Sequence, residues 1–176
     1  MKSYLEVQVP IQKNASWFNE LRMALSGIPV RWQDGFYHIT MAFLNETPAN
    51  VDLRPLLEKH LDRAFAPTLI FDKLDVFTTA SGMFILYLTT THVPESFREQ
   101  VDAIRDDMKT VGCRIQSDFM LHVTLGRVRK DIVDLTSLKQ LIDGVIVPPF
   151  TLSLTDVDYR VFRGRTLYKT KLKKYK

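Results

Sequence analysis

The sequence predicts an α+β fold built twice, in which antiparallel strands line a central cleft and helices lie outside. Two observations support this prediction. The predicted elements of the first half (strand, helix, strand, helix, hairpin) are nearly repeated in the second (helix, strand, helix, hairpin). A short motif, His-apolar-Thr-apolar, occurs once in each half, within a predicted strand. A chain of 176 residues without a low-complexity linker fits one domain, so we expect 1–176 to form two pseudo-symmetric lobes of a single body.

The first half opens with alternating apolar residues over 3–9, which are typical of a strand, and Pro10 ends it. Asn14 is a suitable N-cap for a helix that Gly27 would stop. The apolar residues with helical spacing that would form its packing face are Trp17, Phe18, Leu21, Leu25 and Ile28.

The remaining elements follow from the same periodicities. The sequence predicts strands over 36–44, 68–78, 83–91, 119–128, 150–162 and 166–172. It predicts helices over 52–64, between Pro94 and Gly112, and over 136–142 with Gly144 as its end. Pro55 is tolerated because it would lie in the first turn of its helix.

Composition limits the classes of protein to consider. The hydrophobic fraction of 45% and charged fraction of 25% are ordinary for a soluble globular protein. No run of 18 apolar residues is present, and Met1 to Glu6 lack an apolar signal core, so we expect a cytoplasmic protein with no membrane partner. We also expect a monomer. Cys113 is the only cysteine, which excludes an intramolecular disulfide and a multi-cysteine metal site.

Positive charge is concentrated at the carboxyl end. Residues 160–176 contain eight Lys or Arg and no acid, so this segment carries +8 and the other residues carry 4 − 8 = −4. A solvated chain end and a surface that attracts a polyanion both fit this pattern. The charge alone does not establish a nucleic-acid ligand.

The two motifs are the strongest functional signal. They are Tyr37-His38-Ile39-Thr40-Met41 and Leu121-His122-Val123-Thr124-Leu125. From the composition, two such motifs among four histidines would arise by chance in roughly 0.2% of shuffled chains. Because strand side chains alternate, His and Thr of each motif share one face, and the apolar residues between them point into a core. Each motif therefore presents one imidazole and one hydroxyl to the predicted cleft.

These motifs resemble those of the 2H phosphoesterase superfamily, in particular its bacterial 2′-5′ RNA ligase-like branch, also called RNA 2′,3′-cyclic phosphodiesterases. The segments that carry the likeness are Val30-Arg31-Trp32, His38 to Glu46, Asp75-Val76-Phe77 and Phe119 to Arg127. The chain departs from the family pattern at Leu121, where proline is common, and at Asn45, where glycine is common. The resemblance implies a duplicated two-lobed α+β fold and a phosphodiesterase that opens 2′,3′-cyclic phosphates at RNA or nucleotide ends to 2′-phosphates. It also implies the reverse reaction, 2′-5′ RNA ligation.

The residue types suit this chemistry. Opening a cyclic phosphodiester needs a base and an acid, and two imidazoles can hold opposite protonation states near neutral pH. Thr40 and Thr124 can donate hydrogen bonds to the non-bridging phosphate oxygens. By resemblance, His122 is the base and His38 the acid.

Two further residues are candidates for substrate binding. Arg127 would match phosphate as a bidentate donor, yet strict alternation puts it on the face opposite His122 unless Gly126 hosts a bulge or the strand ends there. Phe36 shares the parity of His38, so it is the better candidate to stack a nucleobase, with simple packing at the cleft rim as the alternative. Phe43 is expected to lie in the core.

The sequence predicts no cofactor and no metal, because neither motif has a nearby carboxylate or cysteine. His60 and His92 are expected to be structural or exposed. Two alternatives to the cyclic phosphodiesterase stay open at this point. One is a 2H enzyme acting on ADP-ribose cyclic phosphate or 2′-5′ oligonucleotides, and the other is a non-catalytic module that binds RNA ends or nucleotides.

Overall fold

The computed structural model describes residues 1–175, which form four helices and eleven strands. The helices are α1 (Ser16–Ala24), α2 (Arg54–Leu61), α3 (Glu95–Thr110) and α4 (Leu135–Asp143). The strands are β1 (Ser3–Gln8), β2 (Arg31–Trp32), β3 (His38–Glu46), β4 (Thr68–Phe71), β5 (Lys73–Thr78), β6 (Met83–Thr89), β7 (Arg114–Ile115), β8 (Val123–Arg129), β9 (Phe150–Ser153), β10 (Asp156–Val161) and β11 (Thr166–Lys171). The predicted α+β class is confirmed.

One large antiparallel sheet organises the molecule. Its main strand order is β11-β10-β1-β3-β8-β6-β5, and the short strands β2 and β7 pair with β8 and β3. The two motif strands, β3 and β8, are therefore neighbours, as the sequence predicted, and they meet through the single pair Ile39–Val123. Moving outward from this pair, β1 flanks β3 and β6 flanks β8, so the surroundings of the two motifs are built alike.

The core lies on the face of this sheet that carries Ile39 and Val123, both fully buried. The predicted packing face of α1 is confirmed at Trp17, Phe18 and Leu21, which are buried. The long helix α3 buries Phe97, Val101, Ile104 and Met108. Gly112 adopts the left-handed conformation (φ 91°) just after α3, which explains why glycine ends this helix. None of the helices within residues 1–175 is long and apolar enough to cross a membrane.

The predicted N-cap of α1 is wrong. Ala15 rather than Asn14 occupies that position, and no side chain caps the helix. Asn14 instead offers its backbone carbonyl to the side chain of Asn19, at 3.3 Å. At α4, by contrast, Asp134 caps the helix by accepting a hydrogen bond from the Ser137 backbone N–H at 2.8 Å.

Two predicted strands are each divided. Residues 68–78 form β4 and β5, and 150–162 form β9 and β10; β4 and β9 leave the large sheet and pair with each other. The first break lies at Asp72, whose carboxylate accepts hydrogen bonds from the backbone N–H and the hydroxyl of Thr91, at 2.8 and 2.7 Å. Both motif strands also begin later than predicted, at His38 and Val123.

Candidate active site

The four motif residues lie around the Ile39–Val123 pair. Ile39 and Val123 point into the core, whereas the side chains on either side of them along β3 and β8 are half-buried on the opposite face. In the antiparallel register through this pair, His38 lies on the side of Thr124, and Thr40 lies on the side of His122. The structure thus brings both imidazoles and both hydroxyls to one face of the sheet.

A cleft of about 600 Å³ opens at this face. Thr40 and His122 line it together with the rings of Phe43 and Phe77. His38 lies close enough for the charges of His122 and Arg127 to act on its ring. One residue of each motif, Thr40 and His122, therefore lines this cleft, whereas His38, Thr124 and Arg127 are not among its lining residues.

Each motif strand contains a β-bulge directly after its threonine. On β3, Leu5 pairs with Ala42 and Glu6 with Thr40, so Met41 has no partner on β1. On β8, the corresponding unpaired residue is Leu125, because Leu86 pairs with Gly126 and Tyr87 with Thr124. An extra residue reverses the alternation of every side chain beyond it. The residue five positions after each histidine therefore returns to the cleft face.

The first of these residues is Phe43, which corrects the sequence prediction that it lies in the core. Phe43 is half-buried in the cleft and stacks on Tyr4, with ring centroids 6.2 Å apart. The alternation argument that put Phe36 beside His38 is also wrong, because β3 begins at His38 and Phe36 precedes it. The Phe36 ring is 71% exposed and lines a different cavity, next to Lys13. Its role in stacking a nucleobase stays a prediction.

The second residue is Arg127, which the bulge turns back to the side of Thr124. It donates a hydrogen bond to the Gln33 side-chain oxygen at 3.0 Å, and Arg31 lies opposite on β2. Burial lowers the pKa of Arg127, and the charge of Arg31 adds to this effect. Two neighbouring guanidinium groups of like charge favour an anion between or beside them.

Gly126 allows the close packing at this bulge. A β-carbon at Gly126 would lie 2.8 Å from Cγ1 of Val30 and 3.1 Å from Cε3 of Trp32. These distances are shorter than ordinary van der Waals contacts, so β2 can approach β8 only because this residue has no side chain.

A backbone carbonyl orients the ring of His122. Its Nδ1 donates to the Met120 carbonyl at 3.0 Å, so Nε2 is the atom of His122 available for acid–base work. Nε2 of His38 lies 3.4 Å from Oε2 of Glu6. Burial lowers the pKa of His122, opposed by the Met120 bond and assisted by Arg127. Burial also lowers the pKa of His38, to about 4, opposed by a hydrogen bond with the Phe36 backbone.

Glu6 is a site residue that the sequence reasoning missed. Its side chain is 5% exposed, with Oε2 3.4 Å from Nε2 of His38 and Oε1 3.7 Å from Nε of Arg160. Burial raises the pKa of Glu6 to about 7, against the opposing charge of Arg160 and with a smaller contribution from Asp158. The alternation of side chains in the first strand could have identified Glu6, because it lies on the polar side of that strand, between Tyr4 and Gln8.

The other histidines lie in structural positions. Nε2 of His60 contacts the carboxylate of Asp107 at 2.7 Å, between α2 and α3. His92 holds a turn through its backbone, whose N–H and carbonyl both bond to the hydroxyl of Thr90. Among residues 1–175, no group of three or more His, Cys, Asp or Glu side chains is arranged to hold a metal ion.

Comparison with known proteins agrees with this geometry. Residues 92–168, which include the second motif, match the sequence model of the family described as LigT-like phosphoesterase. No curated protein sequence matches the chain. The fold is similar to a crystal structure of E. coli LigT complexed with 3′-AMP, with a TM-score of 0.60 and 19% identity, covering 98% of each chain. It is also similar to Kluyveromyces marxianus Usb1, with a TM-score of 0.59 and 11% identity, covering 97% of this chain and 98% of that one.

The family match contains only the second motif, whereas the shared fold extends over both motifs and their neighbouring strands. The sequence match is therefore to a LigT-like phosphoesterase model over residues 92–168, and the similarity over the rest of the chain is one of fold.

Proposed function

We propose that this protein is a phosphodiesterase that opens 2′,3′-cyclic phosphates at RNA or nucleotide ends to 2′-phosphates, without a metal ion. The same site would run the reverse reaction, 2′-5′ RNA ligation, when a 5′-hydroxyl replaces water. The observation that carries the proposal is the arrangement of two imidazoles and two hydroxyls around the Ile39–Val123 pair, on one face of the sheet. A module that only binds nucleotides has no need of two proton-transfer groups.

Each residue then has a defined task. His122 takes a proton from water as its oxygen attacks phosphorus, and His38 gives a proton to the 3′ oxygen as its bond to phosphorus breaks. Thr40 and Thr124 donate to the non-bridging oxygens, where negative charge grows in the transition state. Arg127 neutralises part of that charge from the second motif strand.

The nature of the substrate is supported by the similar structures. E. coli LigT has been crystallised with 3′-AMP and with phosphate, and Kluyveromyces marxianus Usb1 with uridine monophosphate. The basic hairpin of β10 and β11 adds a second reason to expect RNA, because four of its cationic side chains between Arg163 and Lys171 are exposed.

The test is a product assay on 2′,3′-cyclic mononucleotides, RNAs with a cyclic-phosphate end, ADP-ribose cyclic phosphate and 2′-5′ oligonucleotides. The wild-type protein should convert the cyclic ends to 2′-phosphates, and EDTA should not change the rate. His38→Ala and His122→Ala should each lower kcat by about 10²–10⁴ while leaving the protein folded.

His92→Ala is the matched control, since the backbone of His92 and not its ring makes the contacts of its turn. Should either motif variant keep most of its activity on every substrate, the mechanism is wrong. Preferred turnover of ADP-ribose cyclic phosphate or 2′-5′ oligonucleotides would change the substrate. Tight binding of a cyclic nucleotide without turnover would instead favour the binding module.

A further inference from the structure

The two motifs share their backbone geometry but differ in the residue that faces them from the next strand. Glu6 of β1 is opposite Thr40, and Tyr87 of β6 is opposite Thr124, so these two residues occupy equivalent places in the sheet. One motif therefore has a carboxyl group beside it, and the other has a phenol. This difference breaks the symmetry between the two histidines.

The carboxyl group of Glu6 is held in an unusual environment. Its Oε2 atom is buried and has no hydrogen-bond partner among the described residues, yet it lies 3.4 Å from Nε2 of His38. The nearest cation, Arg160 of β10, is 3.7 Å from the other oxygen and donates its hydrogen bond to the Tyr4 hydroxyl instead. Asp158, opposite Glu6 on β10, accepts a hydrogen bond from Gln8 at 2.6 Å. The imidazole of His38 is therefore the polar group that Oε2 of Glu6 contacts.

Within residues 1–175, His122 forms no ion pair with a carboxyl group. The rings of Phe77 and Tyr87 meet its imidazole edge-on, with centroids 5.3 and 5.9 Å away. Burial raises the pKa of Tyr87, and Asp75, which is paired with it on β5, adds to this effect. His122 is thus surrounded by apolar ring surface, which favours a neutral imidazole.

We propose that Glu6 is a positioning residue that holds a proton for His38, which makes His38 the general acid and leaves His122 as the base. This inference rests on the proposed function and concerns the same site. Burial raises the pKa of Glu6 to about 7 and lowers that of His38 to about 4, so between these values the pair keeps one proton. Arg160 and Asp158 of β10 act on Glu6, and the charges that act on His38 are those of Arg160, His122 and Arg127.

The proton follows a balanced path. A bound phosphate brings negative charge to the cleft and favours the imidazolium, so the O–H bond of Glu6 breaks as an N–H bond forms at Nε2 of His38. This N–H bond breaks when the leaving 3′ oxygen takes the proton and separates from phosphorus. The attacking water has meanwhile lost a proton to His122. After turnover, His122 releases that proton to solvent and Glu6 takes one up.

The first experiment does not depend on any substrate. The ring nitrogens of His38 are followed by ¹⁵N NMR as pH is varied, in wild-type protein and in Glu6→Gln. In the wild-type protein, the ¹⁵N chemical shifts of the His38 ring should change near pH 7, because Glu6 has a pKa of about 7 and the pair then loses its proton. This change should be absent from Glu6→Gln. An identical ring titration in both proteins would overturn the inference.

The second experiment measures pH–rate profiles with two substrates. For a cyclic nucleotide, Glu6→Gln should lower the rate near neutral pH by on the order of 10²-fold and move the high-pH limb toward acid. A substrate analogue with sulfur in place of the bridging 3′ oxygen has a leaving group that needs no proton, so the variant should turn it over at nearly the wild-type rate. Glu6→Asp, which keeps the carboxyl group, should recover part of the loss.

Tyr87→Phe is the matched control, because it alters the equivalent position beside the other histidine and leaves Glu6 in place. It should leave the high-pH limb in place. If Glu6→Gln keeps the wild-type profile on the cyclic substrate, or loses activity equally on the sulfur analogue, Glu6 does not act through the proton of His38. If the wild-type protein turns over no cyclic phosphate, the proposed function fails, whereas the NMR titration still decides whether Glu6 and His38 share a proton.

Discussion

Replacing Gly126 by alanine should disturb both the stability and the activity of this protein, because the bulge in β8 is packed too closely for a side chain. The new methyl group would lie 2.8 Å from Cγ1 of Val30, 3.1 Å from Cε3 of Trp32 and 3.4 Å from the carbonyl oxygen of Arg31. Comfortable carbon–carbon contacts are about 3.5–4.0 Å, so β2 and β8 must separate locally by more than half an ångström.

The expected magnitudes follow from this clash. Overpacking of this kind costs about 1–3 kcal/mol. For a domain of this length, 1 kcal/mol corresponds to about 2–4 °C, so the melting temperature should fall by about 2–12 °C. Moving β2 also moves Gln33, which orients Arg127 through a 3.0 Å hydrogen bond. Loss of a charge-assisted contact is worth about 1.5–3 kcal/mol, so kcat/KM should fall by about 10- to 100-fold.

Thermal unfolding by circular dichroism and kcat/KM on a 2′,3′-cyclic nucleotide measure the two effects. Gly27→Ala is the control for glycine replacement itself, since a β-carbon there meets no atom within 4 Å, and it should change neither quantity appreciably. Arg127→Ala should reproduce the activity loss without the full loss of stability. A Gly126→Ala protein that melts within about 1 °C of wild type and keeps its kcat/KM would refute the argument that close packing at the bulge directs Arg127.

Two further predictions concern the aromatic candidates and the stability of Glu6. If Phe43 stacks a nucleobase, Phe43→Ala should weaken binding of a cyclic nucleotide, measured through KM, by about 1–3 kcal/mol. The same variant should bind a ribose cyclic phosphate that lacks a base as well as the wild-type protein does. A larger effect of Phe36→Ala on KM would instead favour the sequence prediction that Phe36 stacks the base. The folded-state pKa of Glu6 is raised from 4.5 to about 7, so its ionisation destabilises the folded protein progressively as pH rises through that interval. Glu6→Gln should therefore raise the free energy of unfolding by about 1–3 kcal/mol at about pH 8 and by little at about pH 5, as measured by denaturant titration; an equal gain at both pH values would contradict this origin.

Much of the site could be predicted from sequence because its central part depends on local alternation. His38 and Thr40 share a face for the same reason as His122 and Thr124, and the core positions of Ile39 and Val123 follow from the same rule. The element types were also predictable from periodicity and from breakers such as Gly112. The predicted roles of the motif residues in catalysis stay predictions until the variants are assayed.

The errors arose where the structure depends on pairing between distant strands. Strict alternation placed Phe43 in the core because nothing in β3 itself reveals that Met41 lacks a partner on β1. At Arg127, by contrast, the neighbouring Gly126 indicated from the sequence that a bulge was possible. Glu6 was overlooked because its position opposite Thr40 is set by the register of two strands that are more than 30 residues apart in the chain.

The arrangement of bulges and neighbours suggests how one duplicated framework can support two different proton-transfer groups. Each motif strand has a β-bulge, with an unpaired residue directly after the threonine, and this bulge turns a third side chain toward the cleft face. The side chains that they return differ: Phe43 offers a ring beside the motif of His38, and Arg127 offers a cation beside the motif of His122. The facing residues differ as well, because the carboxyl group of Glu6 faces one motif and the phenol of Tyr87 faces the other. In the proposed mechanism, the matching backbone brings both motifs to one face of the sheet, and the different side chains give each histidine a separate task.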